Sequence, residues 1–527
     1  MQDSIEKHWK RFCKYYYSES ELGLSLDITG IKFDESYFTE MGPGILAAFE
    51  KMRALEGGSI ANPDENRMVG HYWLRHPELA PTLEIRREIE STIERVKVFA
   101  ARVHQGELQG AHGDFKNLLI IGIGGSALGP QFVSHALGNP ITDLMNVYFF
   151  DNTDPDGMDK TLSRIITELG RTLCLVISKS GGTKETRNGM LEAEDAYSRA
   201  GLNFGRHAVA ITGADSVLNL YARSHQWVDV FPMWDWVGGR TSETSAVGLL
   251  PAALQGINIT DLLRGAAAMD NSTRRGVVDR NPAALMALMW YAVGSGEGRK
   301  AMVVLPYKDR LELFAKYLQQ LVMESLGKSH DWNGEPVHQG LTVYGNKGST
   351  DQHAYVQQLR DGPDNFFVVF IQVLKSRNEA SLEVETAITS GDYLAAFLLG
   401  TRQALADRGR QSITLTIEQV NEFSVGCLIA LFERAVGFYA SLINVNAYHQ
   451  PGVEAGKQAA AEILGLQAKI LSALPDKAPG KTAGEIAKSI AGSAPELVFA
   501  VCTHLSYNGR ARRVLGIDES QAEFYRA

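Results

Sequence analysis

Cysteine is scarce in this chain: four residues, Cys13, Cys174, Cys427 and Cys502, are scattered through 527. No CxxC pair and no zinc-ligand spacing occurs, so neither a disulfide framework nor a structural zinc site is expected. Such cysteine usage fits the reducing cytoplasm. Long apolar runs are missing too. No stretch reaches the ~18 consecutive apolar residues of a membrane span. The greasiest segment, SVGCLIALFERAVGFYASLI from Ser424, carries Glu433 and Arg434 at its middle and reads as a buried core helix. The N-terminus, MQDSIEKHWKRFCKYYY, has no apolar stretch ahead of a small-residue cleavage site, so no secretory signal is expected. Positive charge is not in excess either: 52 Lys and Arg stand against 61 Asp and Glu, net −9. A broad nucleic-acid footprint is therefore not expected, while an anionic small ligand stays open through a local positive pocket. No low-complexity tract or solenoid-period repeat stands out.

What is present is ordinary globular material, 45% hydrophobic and 21% charged, enough for sizeable cores. Residues 1–110 show helical stretches broken by Gly and Pro and no strong strand signal, and read as a helical N-terminal segment. From Leu118 the texture changes. Short apolar runs, LLIIG, VYFFD near Val147, LCLVI from Leu173 and HAVAIT from His207, alternate with helical patterns. A second series follows: AMVVLP from Ala301, LTVYG from Leu341, FFVVFIQ from Phe366 and SITLTI from Ser412. Apolar strands alternating with helices predict mainly parallel sheets with helices on both faces. Two α/β units are expected, 111–270 and 281–445, followed by a C-terminal helix from Pro451 and an extension within 446–527. PDKAPGKTAG from Pro475 reads as a linker into that extension.

Six short segments carry chemistry. Gly122-Ile-Gly124-Gly125-Ser126-Ala127 follows the LLII strand, and glycines at a strand-to-helix turn let a ligand approach the backbone closely. With Asp151 ending the next strand, this also satisfies the dinucleotide fingerprint. A dinucleotide, a phosphate ester and a plain tight turn all remain open. Ser178-Lys179-Ser180-Gly181-Gly182-Thr183-Lys184-Glu185-Thr186 packs four hydroxyls, two lysines and two glycines at a strand end. Such a loop can surround a phosphate with donors and a cation, which favours a phosphate ester over a dinucleotide; the plain alternative is a helix cap through Thr183 and Thr186. Gly238-Gly239-Arg240 sets a fixed cation close to the backbone. Gln320 and Glu324, four apart in a helical run ending at Gly327, share a face. Glu324 near the helix's negative end tends toward a usable base; a surface Glu324–Lys328 pair is the plain alternative. Ser349-Thr350-Asp351-Gln352-His353 has capping-box spacing and puts His353 in a first helical turn. Gln450 and Lys457 flank a helix start at Pro451.

In this order the six segments resemble the glucose-6-phosphate isomerase (phosphoglucose isomerase) family: GIGGSALGP, SKSGGTKET, GGR, ESLGK, QHA and the QxGVExxK pattern of Gln450–Lys457. The resemblance spans roughly Leu118 to Lys457. It implies two sugar-isomerase-type αβα sandwiches and a cytoplasmic homodimer with shared sites, without metal or organic cofactor. Its activity would be the glycolytic and gluconeogenic interconversion of glucose 6-phosphate and fructose 6-phosphate through a cis-enediolate. By motif position Glu324 resembles the base moving a proton between C1 and C2, and Arg240 the stabiliser of the enediolate. His353, which in this family comes from the partner subunit, and Lys457 resemble the ring-opening pair. Ser178, Lys179, Ser180, Thr183 and Thr186 resemble the phosphate cradle, and Gly125, Ser126, Gln320 and Gln450 substrate-positioning groups. Two positions depart from the family's pattern: Thr241 replaces an aromatic residue, and His449 an Asp or Asn. A broader phosphosugar isomerase, a non-catalytic phosphosugar-binding protein and a dinucleotide oxidoreductase are the rival readings.

Overall fold

The computed structural model describes residues 2–63, 65–490 and 492–527, and the side chains of all of these but 2–5 and 453–455. One compact unit runs to His449; a second runs from Gln450 to Ala527.

The N-terminal segment is helical over Gln2–Tyr15, Gly42–Glu56 and Leu83–His104, as expected, but it also contains strands β1 (Tyr16–Glu19) and β2 (Leu24–Asp27). The short strands Ile60–Asn62, Arg67–Met68 and Gln109–Gly110 also depart from the helical reading, but β1 and β2 are the ones that join a large sheet. Each is four residues long, too short to carry a period of its own, and Leu24 and Leu26 are held by a sheet supplied from far along the chain. Tertiary pairing therefore decides them, which local pattern cannot show.

The first sheet contains β3 (Asn117–Ile121), β4 (Asn146–Phe150), β5 (Thr172–Ile177), β6 (Ala208–Thr212) and β7 (Asp229–Pro232), in the spatial order β7-β6-β5-β3-β4, all parallel. Successive side chains point to opposite faces. Leu118 and Ile120 join one core with Phe132 and Leu250, whereas Leu119 and Ile121 join another with Leu162, Met190 and Ala193. Helices thus cover both faces, giving three layers. Because the strands run parallel, the segments that leave β3, β5 and β7 emerge at one edge. Those segments are the glycine loop, the Ser178–Thr186 loop and the run to Gly239-Arg240.

The second sheet adds β8 (Ala301–Pro306), β9 (Val343–Tyr344), β10 (Phe366–Val373) and β11 (Ser412–Ile417), ordered β1-β2-β11-β10-β8-β9. Strands β11, β10, β8 and β9 are parallel; β2 lies antiparallel to β11, pairing Leu24 with Ile417, and β1 forms the edge beside it. The greasy segment is the helix Glu422–Leu442, buried throughout from Ser424 to Ala440. Its two internal charges are paired inside the protein: Arg75 Nη1 meets Glu433 Oε2 at 2.6 Å and Arg434 Nη2 meets Glu56 Oε1 at 2.5 Å. Buried ions without partners would cost several kcal/mol each, roughly.

In the second unit, Pro451 opens the helix Pro451–Ala473 as expected. The helices Ala483–Ser489 and Pro495–Tyr507 and a three-stranded antiparallel sheet follow, around a core of Ile470, Ile486, Val498, Cys502 and Phe524. The Pro475 stretch joins elements of this one core, so it is an internal connection rather than a linker between domains.

Candidate active site

The glycine loop is packed against its own chain. An ideal Cβ on Gly125 would collide with the Gly239 carbonyl, and one on Gly124, whose φ is +58°, would lie 3.1 Å from Gln320 Nε2. Ser242 Oγ also donates to the Gly125 carbonyl at 3.3 Å. Here the absence of side chains brings three motifs together: the loop, the turn carrying Arg240, and the helix carrying Gln320 and Glu324. Asp151, the would-be ribose acid, instead accepts a hydrogen bond from Gln131 Nε2 at 2.7 Å. The features that resemble a dinucleotide fingerprint therefore serve internal packing. Ser126, within the loop, is buried.

The Ser178–Thr186 loop leaves β5 and folds on itself. Ser178 Oγ accepts from the Gly181 amide at 3.1 Å and donates to Thr183 Oγ1 at 3.1 Å; Ser180 Oγ accepts from the Gly182 amide at 3.1 Å. Thr183 occupies the cap position of the helix Lys184–Arg199 but makes no side-chain cap bond, so the plain helix-cap alternative fails for it. Thr186 is buried and its hydroxyl has no hydrogen-bond partner among the described residues. Lys179 Nζ donates to the carbonyls of Asp235 at 2.7 Å and Val237 at 3.1 Å. Burial pushes its pKa down to about 8, with Arg67 adding to the fall and Asp235 opposing it.

The Arg240 side chain is buried, 8% exposed, and its guanidinium is fixed from several sides. Nη1 donates to Ala447 O at 2.6 Å and Ser325 Oγ at 3.1 Å, and Nη2 to His449 O at 3.4 Å. Nε lies 3.9 Å from Glu324 Oε1. Burial lowers the Arg240 pKa from its ordinary value, against the opposing charge of Glu324. The run holding Glu324 is an α-helix over Phe314–Leu318 that widens to a π-helical turn over Gln319–Glu324, a local irregularity frequent at functional sites. Lys328 does not pair with the Glu324 carboxylate. Its Nζ donates to the backbone carbonyls of Glu324 and Ser325, both at 2.8 Å, capping the helix end. Burial pushes the Lys328 pKa down to about 8, with Arg240 adding and Glu324 opposing.

His353 is exposed at the end of the short 3-10 turn Thr350–His353, and no hydrogen bond or ion pair ties it to Arg240 or Glu324 among the described residues. The expected capping box does not form: Ser349 makes no side-chain cap bond, and Gln352 instead bonds Phe397 O and Thr401 Oγ1. In this 3-10 turn the Gln352 amide, which a capping Ser349 hydroxyl would need, donates to the Ser349 carbonyl at 3.0 Å instead. Gln450 and Lys457 belong to the second unit, Gln450 preceding the helix and Lys457 within its second turn. Among the described residues, no group of three or more His, Cys, Asp or Glu side chains is arranged to hold a metal ion.

A family model described as phosphoglucose isomerase matches residues 45–407 and 398–472. The chain belongs to the phosphoglucose isomerase family. It is 59% identical to a glucose-6-phosphate isomerase of Geobacter sp. (strain M21), over 95% of both chains. It is 57% identical to one of Synechococcus sp. (strain JA-2-3B'a(2-13)), over 98% of this chain and 97% of that protein. A crystal structure of a glucose-6-phosphate isomerase from Chlamydia trachomatis superposes with a TM-score of 0.78 at 26% identity, covering 87% of this chain and 91% of that one.

Within this family fold, motif reading missed the groups that hold the site in place: Ser325, Lys328, and the carbonyls of Asp235, Val237, Ala447 and His449. Ser325 and Lys328 lie inside the ESLGK segment and could have been flagged. The carbonyls could not, because a main-chain acceptor has no residue-type signature. His449 reaches Arg240 through its carbonyl, so its departure from the family pattern leaves that contact in place. Thr241 bonds back to Gly238 O at 3.4 Å within its own turn.

Proposed function

We propose that this chain interconverts glucose 6-phosphate and fructose 6-phosphate, working as a cytoplasmic homodimer built on α/β domains at 111–270 and 281–445. The observation that carries the reading is the Arg240–Glu324 pair set against the glycine loop and connected by Lys179 to the Ser178–Thr183 loop. In the proposed reaction the phosphate is gripped by Ser178, Ser180 and Thr183, so binding energy comes from a group that does not react. His353 of one subunit and Lys457 open the sugar ring by proton transfer. Glu324 takes the proton from C2 of the aldose, or C1 of the ketose, and returns it to the neighbouring carbon. Charge that gathers on the enediolate oxygens meets the Arg240 cation, which is already in place and needs no reorganisation. Gly125, Ser126, Gln320 and Gln450 orient the sugar chain. The dimer, its compartment and the roles of His353, Gln450 and Lys457 rest on the family resemblance; cysteine usage also favours the cytoplasm.

The test is a coupled assay of purified protein with fructose 6-phosphate, in the presence of a chelator, together with Glu324→Gln. The unaltered protein should turn over and incorporate solvent deuterium at C2. The variant should lose about 10²–10⁴-fold in turnover, as expected for removal of a general base, while still binding substrate. Unchanged exchange in the variant would assign the proton transfer to another group.

A further inference from the structure

Lys179 sits in the loop proposed to grip phosphate, and a lysine there invites the assumption that it binds phosphate. Its ammonium is engaged elsewhere. Nζ donates to Asp235 O at 2.7 Å and Val237 O at 3.1 Å, and the Asp235 carboxylate stands 3.8 Å away. The carbonyl between them, Trp236 O, accepts from the Gly70 amide at 2.9 Å. Three successive carbonyls are thus each held by a donor from another part of the chain. The Trp236 ring is held as well, stacked on Trp234 at 4.9 Å and tilted against Trp73 at 5.3 Å. This fixed segment leads directly into Gly238-Gly239-Arg240. Lys179 is itself anchored, its carbonyl accepting from the Gly213 amide at 3.0 Å.

We infer that the Lys179 side chain is a positioning group that ties the phosphate-binding loop to the turn carrying Arg240, and that its ammonium does not contact the phosphate. The inference rests on the isomerase reading above and assigns one of its residues a different role. An ammonium has three protons. Two meet carbonyls at good distances, and the nearest anion is the protein's own Asp235. Phosphate held by the loop hydroxyls would therefore steady Lys179's main chain, and through its side chain the stretch 235–240. In this way a handle remote from the reacting carbons would set the place of the cation that stabilises the enediolate.

The experiment compares the unaltered full-length protein with Lys179→Met, which keeps the stem and removes every donor. The probes are inorganic phosphate, as a competitive inhibitor, and fructose 6-phosphate turnover. A tie predicts a phosphate inhibition constant within about twofold of the original, since uncoupled sites differ by only a few tenths of a kcal/mol. It predicts a fall in kcat of ~100-fold, the size of effect that a displacement of about 1 Å at a reacting group produces. It also predicts that Lys179→Met adds little further loss of kcat to Arg240→Lys, because both act through the same guanidinium. Should Lys179→Met not fold, Lys179→Gln keeps two N–H donors on a shorter stem and is read by the same three measurements. A tenfold or greater loss of phosphate affinity with kcat nearly unchanged would overturn the inference and return Lys179 to the cradle, as would fully additive losses with Arg240→Lys. No turnover by the unaltered protein would overturn the isomerase reading and this inference together; turnover with either of the former results would overturn this one alone.

Discussion

Arg240 Nε stands 3.9 Å from Glu324 Oε1, inside ion-pair range and beyond hydrogen-bond distance. The pair is close enough for each charge to feel the other, yet the carboxylate is not engaged by the guanidinium as a hydrogen-bond acceptor. Arg240's other nitrogens are committed to Ser325, Ala447 and His449. The cation is therefore immobile and the carboxylate keeps its lone pairs, the combination that the proposed proton abstraction beside a developing oxyanion requires.

Arg240→Lys is accordingly not a conservative change. A single ammonium on a flexible stem cannot reach Ser325 Oγ, Ala447 O and His449 O while also facing Glu324. Turnover should fall more than affinity for substrate. A hydroxamate or aldonate that mimics the enediolate should lose more affinity than substrate does, because complementarity is to the intermediate. Inhibition and Michaelis constants measured side by side decide it: equal losses for the two ligands would make Arg240 a structural residue.

How much of this was visible in the residues differs from part to part. Strands β3, β5, β8 and β10 are buried on both faces and therefore read as unbroken apolar runs. Strands β1 and β2 were not legible, because β2 pairs with β11 across almost the whole unit and β1 is held only through β2. Glu324, Arg240 and the Ser178 loop announce themselves because their chemistry needs particular side chains. The carbonyls that Lys179, Lys328 and Arg240 use have no such mark. His353 could be named from its motif, but the turn around it is set by the Gln352 contacts with Phe397 and Thr401, far away in sequence.

Gly125→Ala tests whether the glycine loop matters for its close approach to Arg240. The added methyl would meet the Gly239 carbonyl, main chain against main chain, so one of the two must move. A shift of the Gly239–Arg240 turn by about 1 Å should cost ~100-fold in kcat, with the circular dichroism spectrum unchanged. Gly238→Ala is the control: its methyl would lie 3.7 Å from Thr241 Oγ1, an ordinary contact. Equal effects of the two substitutions on kcat would sink the argument.

Glu243 offers a prediction about pH. It is 2% exposed, neither carboxyl oxygen has a hydrogen-bond partner among the described residues, and Gly129 and Gly248 leave the room it occupies. Burial, with the charge of Glu433 adding, raises its pKa well above the ordinary carboxylate value. The folded protein then keeps a proton that the unfolded chain gives up above pH ~4.3. The unfolded state therefore gains as pH rises, and stability contributed by the neutral form is lost between that value and the raised folded pKa. Glu243→Gln removes the titration. Between pH 5 and pH 8 the variant should gain on the original protein by up to ~1.4 kcal/mol per pH unit, read as a widening difference in urea midpoint. A difference that stays constant with pH would show that Glu243 does not titrate in this way.

The last prediction concerns assembly. His353 is exposed and, among the described residues, not bonded to Arg240 or Glu324, and the shared-site dimer proposed above would bring this histidine to the site from a partner subunit. Glu324→Gln and His353→Ala should each be inactive alone. Mixed and allowed to exchange subunits, they should recover activity, because a heterodimer holds one site with both lesions and one with neither. With random reassortment of equal amounts, about half the dimers are mixed and about a quarter of all sites are intact, given the closed two-fold symmetry commonest among soluble oligomers. Activity is measured after mild dissociation and remixing, against each variant treated alone, with differently tagged chains reporting exchange. Exchange without recovery would place Glu324 and His353 in the same subunit's site, and the shared-site arrangement would have to be abandoned.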